Sequence, residues 1–448
     1  MLRRLFAPID IAPLVWFRIA FGVIMAVEVW RYFEHGWIYD YYIQPKFFFT
    51  YYGFGWVHPW PGNGMYVHFA VLGLLAACIA LGLFYRAATV LFFLGFTYVF
   101  LLDQTDYLNH FYLVCLYSFL LTAVPAHRAF SLDAALQPKL RSSTVPAWSL
   151  WLMRAQICVV YFMGGIAKLN GDWLHGEPMR HWLAENTSFP LLGRYFTKEW
   201  MVYAFSWGGL CFDLSIVPLI LWRRTRWIGF ILAACFNMMN ARLFHIGIFP
   251  WLALCSTVLL FANYSWLRRL FPRLWGEPMQ PRETPAFGPP LSSAQRVTVV
   301  MLAAWLAFQI FMPLRHLVFY PGSPEWTEEG HRFAWRMKLA DKDGGLTLIA
   351  RDPATGKTWI VSPGDYLTES QFEVCSFEPD MVQQLARHVA SEWSHVNGAP
   401  IEVRARARAI LNYRSPARLI DPDVDLAAQP RSLRHATWIL PLTIPLGQ

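Results

Sequence analysis

Long apolar stretches dominate the first 314 residues, whereas polar and apolar positions alternate from residue 315 to residue 448. A helix needs about 20 predominantly apolar residues to cross a bilayer. Nine apolar segments meet or approach this length, near residues 12–30, 66–84, 87–102, 108–124, 148–168, 201–222, 227–239, 246–262 and 297–313. The short segment at 227–239 is tilted, extended by its flanks or re-entrant, so eight spans is the alternative count. The pattern predicts a polytopic α-helical membrane domain over residues 1–314.

The alternating stretch predicts strands separated by turns. The predicted strands are residues 333–339, 346–350 and 358–361, with turns at 343–345 and 352–356. Residues 378–393 have a helical pattern with Pro379 in the first turn. Residues 401–411 alternate again and place Arg404, Arg406 and Arg408 on one face, as in a half-exposed strand. We therefore expect a C-terminal β-rich α+β extramembrane domain over residues 315–448.

The distribution of Lys and Arg residues predicts the orientation in the membrane. The loops on the same side as the N-terminus carry twice as many of these residues as the opposite loops up to residue 245. The positive-inside rule then places the N-terminus in the cytoplasm. Nine spans put the terminal domain on the outer side, in the periplasm or lumen. The Pro- and Gly-rich stretch at 276–290 predicts an irregular cytoplasmic connection between the last two spans.

Composition excludes several classes of function. Charged residues make up 15% of the chain, against about 25% in soluble domains. The net charge of +8 lies mainly at the ends of apolar segments rather than along a cationic stripe, so no nucleic-acid partner is expected. The seven cysteines have neither metal-site nor disulfide spacing. No histidine cluster has the spacing of a metal site, so no metal is expected either.

Two polar residues at the outer ends of neighbouring spans could carry chemistry. His110 begins the fourth span, and Lys168 ends the fifth, which places both at the same membrane depth. Imidazole can orient an amine, and burial favours the neutral amine that a general base requires. The alternative is that Lys168 extends to the headgroups and that His110 belongs to the aromatic belt.

Three charged residues within predicted spans need partners, because an unpaired charge in the membrane is costly. These residues are Arg18, Glu28 and Asp213. We expect Arg18 to pair with one of the two acids. A role in binding substrate is the alternative.

Five stretches resemble the vitamin K-dependent γ-glutamyl carboxylases, and they occur in the same order along the chain. They comprise residues 161–176, 109–110 with 131–133, 236–237 with 243–249, 326–337, and 412–414 with 418–425. The stretch at 161–176 (YFMGGIAKLNGDWLHG) resembles the helix that ends in the catalytic lysine of the family. The resemblance covers residues 10–426 and indicates a short homologue with an HTTM-type membrane domain.

The resemblance implies an enzyme that uses reduced vitamin K (a hydroquinone) together with O2 and CO2. Lys168 would deprotonate the hydroquinone, and His110 would orient or hydrogen-bond Lys168. Reaction with O2 would yield an oxygenated quinone alkoxide that is basic enough to remove a γ-proton from a glutamate side chain. The resulting carbanion would capture CO2, leaving γ-carboxyglutamate and vitamin K epoxide. Residues expected to bind the substrate or the quinone are Asn109, Asn237, Asp172, Trp173 and Trp335. The implied partners are a glutamate-containing protein or peptide and the membrane lipid that carries the quinone.

Two departures from the family leave alternatives open. The animal members have a larger lumenal region for docking a propeptide, and about 130 terminal residues offer little room for it. No cysteine pair is placed to tie the terminal domain to an outer membrane loop. A vitamin K epoxidase without peptide carboxylation, or a non-catalytic quinone- or lipid-binding membrane protein, would account for the same resemblance. The joint presence of Lys168 and His110 favours an enzyme.

Overall fold

The computed structural model describes residues 2–244, 246–261 and 290–446. Most of the Pro- and Gly-rich connection at 276–290, and the end of the segment predicted at 246–262, lie outside the described residues. All seven cysteines are free.

The N-terminal two thirds of the chain is helical. Its helices are α1 (Ala12–Glu34), α2 (Trp37–Tyr42), α3 (Gly64–Leu81), α4 (Tyr85–Leu102), α5 (Asn109–Ala123), α6 (Leu132–Leu136), α7 (Ala147–Ala167), α8 (Gly171–Leu174), α9 (Met179–Glu185), α10 (Glu199–Leu221), α11 (Arg226–Phe244), α12 (Phe249–Val258) and α13 (Ser293–Leu314). Two short strands, β1 (Pro8–Asp10) and β2 (Thr144–Pro146), pair antiparallel at the start of α1 and α7.

Each of the nine predicted apolar segments corresponds to a helix, but their lengths differ from the prediction. Among the described residues, seven helices are long and apolar enough to cross a membrane, namely α1, α3, α4, α7, α10, α11 and α13. The segment predicted to be short is part of α11, which is 19 residues long. Polar residues such as Asn237 and Arg242 interrupt its apolar pattern without ending the helix. The two helices of sub-span length are α5 and α12, with 15 and 10 residues.

Glycines allow the membrane helices to approach closely at two points. A Cβ atom on Gly22 of α1 would lie 2.5 Å from the backbone nitrogen of Ala80 in α3. A Cβ atom on Gly165 of α7 would lie 2.6 Å from Cδ2 of Leu214 in α10. Small residues at helix interfaces permit such contact within a bilayer, where packing rather than the hydrophobic effect holds helices together.

In the part of the chain that the structure describes, Arg18 forms an ion pair with neither Glu28 nor Asp213, so this prediction is wrong. Its guanidinium donates hydrogen bonds to the carbonyl oxygens of Ala126 (3.3 Å) and Phe130 in the loop after α5. Backbone carbonyls are a common solution for a buried arginine. The two acids do have cationic partners, since Glu28 pairs with Arg31 and Asp213 pairs with Lys168.

The C-terminal part contains a four-stranded antiparallel sheet with helices against one face. The helices are α14 (His316–Phe319), α15 (Pro324–Thr327), α16 (Glu369–Cys375) and α17 (Pro379–Asn397), and the strands are β3 (Lys342–Arg351), β4 (Thr358–Val361), β5 (Glu402–Leu411) and β6 (Ala417–Arg418). The strand order is β4-β3-β5-β6. In β5 the residues from Val403 to Leu411 alternate between buried and less buried, with the arginines on the outer face. The predicted half-exposed strand and the predicted helix are therefore confirmed.

Two details of the predicted meander are wrong. Residues 333–339 form an irregular segment rather than a strand, because Phe333, Trp335 and Lys338 adopt positive φ angles. Phe333 and Trp335 alternate along the sequence because they pack against Tyr112 of the membrane helices, at ring distances of 5.0 and 5.1 Å. The predicted turn at 343–345 lies inside β3, where a Cβ atom on Gly344 would meet the carbonyl oxygen of Ser376 at 2.8 Å.

Candidate active site

A cavity of about 510 Å³ lies between the membrane helices and the first irregular segment of the terminal part. Helices α1, α5, α7, α10 and α11 contribute to its walls, and Met337 and Lys338 contribute from the terminal part. Ile157, Val160 and Phe236 are among its many apolar lining residues. Apolar cavities of this size with a few polar groups are typical of sites for small organic molecules.

Lys168 and Asp213 form a buried ion pair at one end of this cavity. Lys168 is the C-terminal capping residue of α7, and Asp213 projects from α10. Nζ of Lys168 lies 2.6 Å from Oδ2 of Asp213, and the two side chains are only 8% and 7% exposed. The ring of Trp173 lies 5.2 Å from the same nitrogen.

A glycine in α7 lets α7 and α10 pack closely beside this ion pair. A Cβ atom on Gly165 would lie 2.6 Å from Cδ2 and 2.9 Å from Cγ of Leu214, whereas one on Gly164 would make ordinary contact with Oδ2 of Asp213 at 3.4 Å. The missing side chain at Gly165 therefore permits the close approach of the two helices that carry Lys168 and Asp213. The small residue at position 165 thus affects the environment of Lys168, which follows three residues later.

His110 lines the same cavity near the N-terminus of α5, in a separate polar group. A Cβ atom on Gly247 would lie 3.8 Å from Nε2 of His110 and 3.5 Å from Nη1 of Arg31. Arg31 in turn donates to Oε2 of Glu28 at 2.6 Å. Within the described part of the chain, Lys168 hydrogen-bonds to Asp213 and to the Gly164 carbonyl at 3.5 Å, not to His110.

Three further predicted residues line the cavity and are held by backbone carbonyls. Nδ2 of Asn237 donates to Ala233 at 2.9 Å, and Nε1 of Trp173 donates to Ser206 at 2.8 Å. Nδ2 of Asn109 donates to the carbonyl of Arg336 at 3.3 Å, which links α5 to the terminal part. These bonds orient the side chains before any ligand binds.

Comparison with known families decides the identity. Residues 6–266, more than half of the chain, match the HTTM domain. Residues 294–444 match the lumenal domain of vitamin K-dependent gamma-carboxylase. The chain belongs to the vitamin K-dependent gamma-carboxylase family. It is a multi-pass membrane protein with a carboxylase-type terminal domain. No solved structure is significantly similar to it.

Two residues predicted as binding residues of this carboxylase homologue lie outside the cavity lining. Asp172 accepts hydrogen bonds from Arg414 (2.6 and 2.7 Å) and from Asn412 (2.6 Å), and so joins the end of α7 to the terminal domain. Burial opposes ionisation of Asp172, but the hydrogen bonds from Arg414 and Asn412 outweigh it and lower its pKa. Trp335 is 1% exposed and packs on Tyr112. Both side chains make contacts between the two parts of the chain.

The sequence analysis does not predict several polar groups of the cavity. Asp213 is predicted from the sequence as one of two possible partners of Arg18, with a role in binding substrate as the alternative, and Arg31 and Lys338 are not predicted at a site. A lysine at the end of one span and an aspartate within the next are two costly charges on neighbouring helices, which is a signal for pairing. The positions of Arg31 and Lys338 in the cavity depend on the tertiary structure.

Proposed function

We propose that this chain is a vitamin K-dependent γ-glutamyl carboxylase. In the overall reaction vitamin K hydroquinone and O2 give vitamin K epoxide and water, while a glutamate side chain gains CO2 and loses its γ-proton. The observation that carries this proposal is the buried Lys168–Asp213 pair at the end of an apolar cavity. The match to the carboxylase lumenal domain supports it independently.

The cavity suits a naphthohydroquinone. A volume of about 510 Å³ accommodates a fused two-ring system with space beside it. The apolar walls match the rings, and the amine of Lys168 can meet one hydroxyl group. The ring of Trp173, fixed by its hydrogen bond to Ser206, provides a flat surface beside that amine.

Lys168 takes the role of general base at the hydroquinone hydroxyl. It can accept a proton only as a neutral amine, and the carboxylate of Asp213 favours the ammonium form. Transfer of the proton from Nζ to Oδ2 along the 2.6 Å hydrogen bond resolves this conflict, because the low dielectric of the cavity disfavours separated charges. Asp213 is thus a positioning residue that also holds the proton while Lys168 reacts.

His110 acts from the other polar group of the cavity. Its imidazole lies beside Arg31, whose guanidinium is held by Glu28. We propose that His110 hydrogen-bonds the ring or the oxygen-bearing substrate rather than Lys168, and that Asn109 and Asn237 orient the quinone. Asp172 and Trp335 contribute by fixing the terminal domain over the cavity.

In the proposed topology, the glutamate substrate and the quinone reach the same site from different sides. Residues 1–314 form the membrane domain with the N-terminus in the cytoplasm, and residues 315–448 form the periplasmic or lumenal domain. The quinone enters from the bilayer, and the glutamate enters from the side of the terminal domain. A strong base generated between the two survives only where water is excluded.

The proposal is tested by reconstituting the purified protein with reduced vitamin K, O2, labelled bicarbonate and a glutamate-containing peptide. Peptide-bound label and vitamin K epoxide should appear together. Epoxide without label, across several glutamate peptides, would instead identify an epoxidase that does not carboxylate. Neither product from folded protein would contradict the enzyme assignment.

A further inference from the structure

The charges that line the cavity do not cancel. Its charged residues are Glu28, Arg31, Lys168, Asp213 and Lys338, which give three positive and two negative charges and a net charge of +1. Arg31 pairs with Glu28, and Lys168 pairs with Asp213. Lys338 therefore supplies the excess positive charge of the cavity.

Lys338 is held by aromatic rings rather than by an acid. Its Nζ lies 5.4 Å from the ring of Trp182 and 6.0 Å from the ring of Phe244. Within residues 2–244, 246–261 and 290–446, no carboxylate lies within ion-pair distance of Lys338. Cation–π contact steadies an ammonium group but leaves its three hydrogen-bond donors available.

The backbone directs Lys338 towards the cavity from the terminal domain. Its φ angle is +48°, an uncommon value for a residue with a side chain. It is exposed, unlike Lys168. It follows Met337 in the irregular segment that covers the membrane helices, so it lies on the side from which a water-soluble substrate approaches. Strained backbone of this kind is concentrated at ligand-binding segments.

We infer that Lys338 binds the side-chain carboxylate of the glutamate substrate at the mouth of the cavity. This inference rests on the proposed carboxylase function and names the group that selects glutamate. A single unpaired ammonium in a cavity of net charge +1 matches a single carboxylate. The two ion pairs deeper in the cavity are each neutral as pairs, so they offer an anion much less attraction.

The inference is tested by peptide binding, which does not depend on turnover. The probes are two capped pentapeptides, Ala-Ala-Glu-Ala-Ala and Ala-Ala-Gln-Ala-Ala, titrated into the purified full-length protein in detergent at low salt. The wild type should bind the Glu peptide more tightly than the Gln peptide. Lys338→Gln should weaken binding of the Glu peptide on the order of tenfold, the scale of a lost charged hydrogen bond, and leave the Gln peptide unaffected. Lys338→Arg should retain most of the preference.

Lys357→Gln provides the matched control. Lys357 also lies over a tryptophan ring, 5.0 Å from Trp359, but it is in the connection between β3 and β4 and outside the cavity lining. This variant should bind both peptides like the wild type. Wild-type protein without a preference for the Glu peptide, or Lys338→Gln with an unchanged preference, would overturn the inference. Lys338-dependent binding without carboxylation would leave it standing while contradicting the proposed function.

Discussion

Lys168 and Asp172 lie four residues apart at and after the end of α7, and each forms an ion pair, but the surroundings of the two pairs differ. Lys168 has one acidic partner, and its pair borders an open apolar cavity. Asp172 accepts three hydrogen bonds from Arg414 and Asn412, and it lies outside that cavity. A carboxylate whose oxygens are already occupied is suited to holding two domains together. An amine with a single partner that can take its proton is suited to chemistry.

The Asp172 cluster belongs to a broader set of contacts between the two domains. Gln371 donates to Oδ2 of Asp103 at 2.8 Å, and Arg431 bonds both Asp380 and the carbonyl of Thr50. The contacts of Gln371 and Arg431 hold the terminal part against the loops of the membrane helices. Removing one of them should therefore affect stability more than the chemical step.

The largest effect is expected from substitution of Lys168. Lys168→Ala should lower the rate of vitamin K epoxide formation on the order of 10²–10⁴-fold, because the hydroquinone loses its base. The rate is measured by quantifying epoxide with purified, reconstituted protein. As a control, Lys198→Ala removes an exposed lysine immediately before α10 and should retain activity. Normal epoxide formation by Lys168→Ala would assign the base elsewhere.

The next largest effect is expected at the proton-sharing partner. Asp213→Asn keeps the size of the side chain but can neither balance the ammonium nor hold its proton. We expect kcat to fall roughly 10- to 100-fold, equivalent to about 1.4–2.7 kcal/mol, with a smaller change in KM for the quinone. The pH–rate profile should change shape as well. A profile and kcat identical to those of the wild type would reduce the pair to a structural role.

A smaller effect, on stability, is expected from the contact between Arg414 and Asp172, which joins the two domains. Arg414→Ala leaves the partly buried Asp172 without its bidentate partner and should cost about 2 kcal/mol, less than the loss of a fully buried pair. Thermal unfolding in detergent should show a lower midpoint. Arg418→Ala, which removes an exposed arginine nearby, should have little effect. If Arg414→Ala instead abolished epoxide formation in folded protein, the Asp172 cluster would contribute to catalysis and would not differ in function from the Lys168–Asp213 pair.

The smallest effect is the pH dependence of the same cluster. The hydrogen bonds from Arg414 and Asn412 keep the pKa of Asp172 below its ordinary value in the folded state. Its contribution to stability is therefore complete above the unfolded pKa of about 3.9 and is lost as the pH falls through the lower folded value. The difference in unfolding midpoint between wild type and Asp172→Asn should shrink below about pH 4. A difference that persisted unchanged in strong acid would contradict this account.

The apolar pattern was sufficient to predict the helical membrane domain, because the length and polarity of a span are local properties. For residues 227–239 the alternative of extension by the flanks is confirmed, because α11 runs from Arg226 to Phe244. The pattern misjudged residues 333–339, where alternation reflects packing of Phe333 and Trp335 on Tyr112 and not pairing within a sheet. The periodicity of apolar residues indicates which side of a segment is buried, but it does not identify the element against which that side packs.

The sequence by itself determined the membrane helices, the β-rich terminal domain, the family and the candidacy of Lys168 and His110, because each depends on short-range pattern or on collinear motifs. Only the tertiary structure decided that Lys168 meets Asp213, that Arg18 bonds backbone carbonyls, and that Asp172 joins the two domains. Partner choice depends on which helices approach within a few ångströms. That approach depends on packing details such as the glycine at position 165, and the spacing of residues along the chain does not encode it directly.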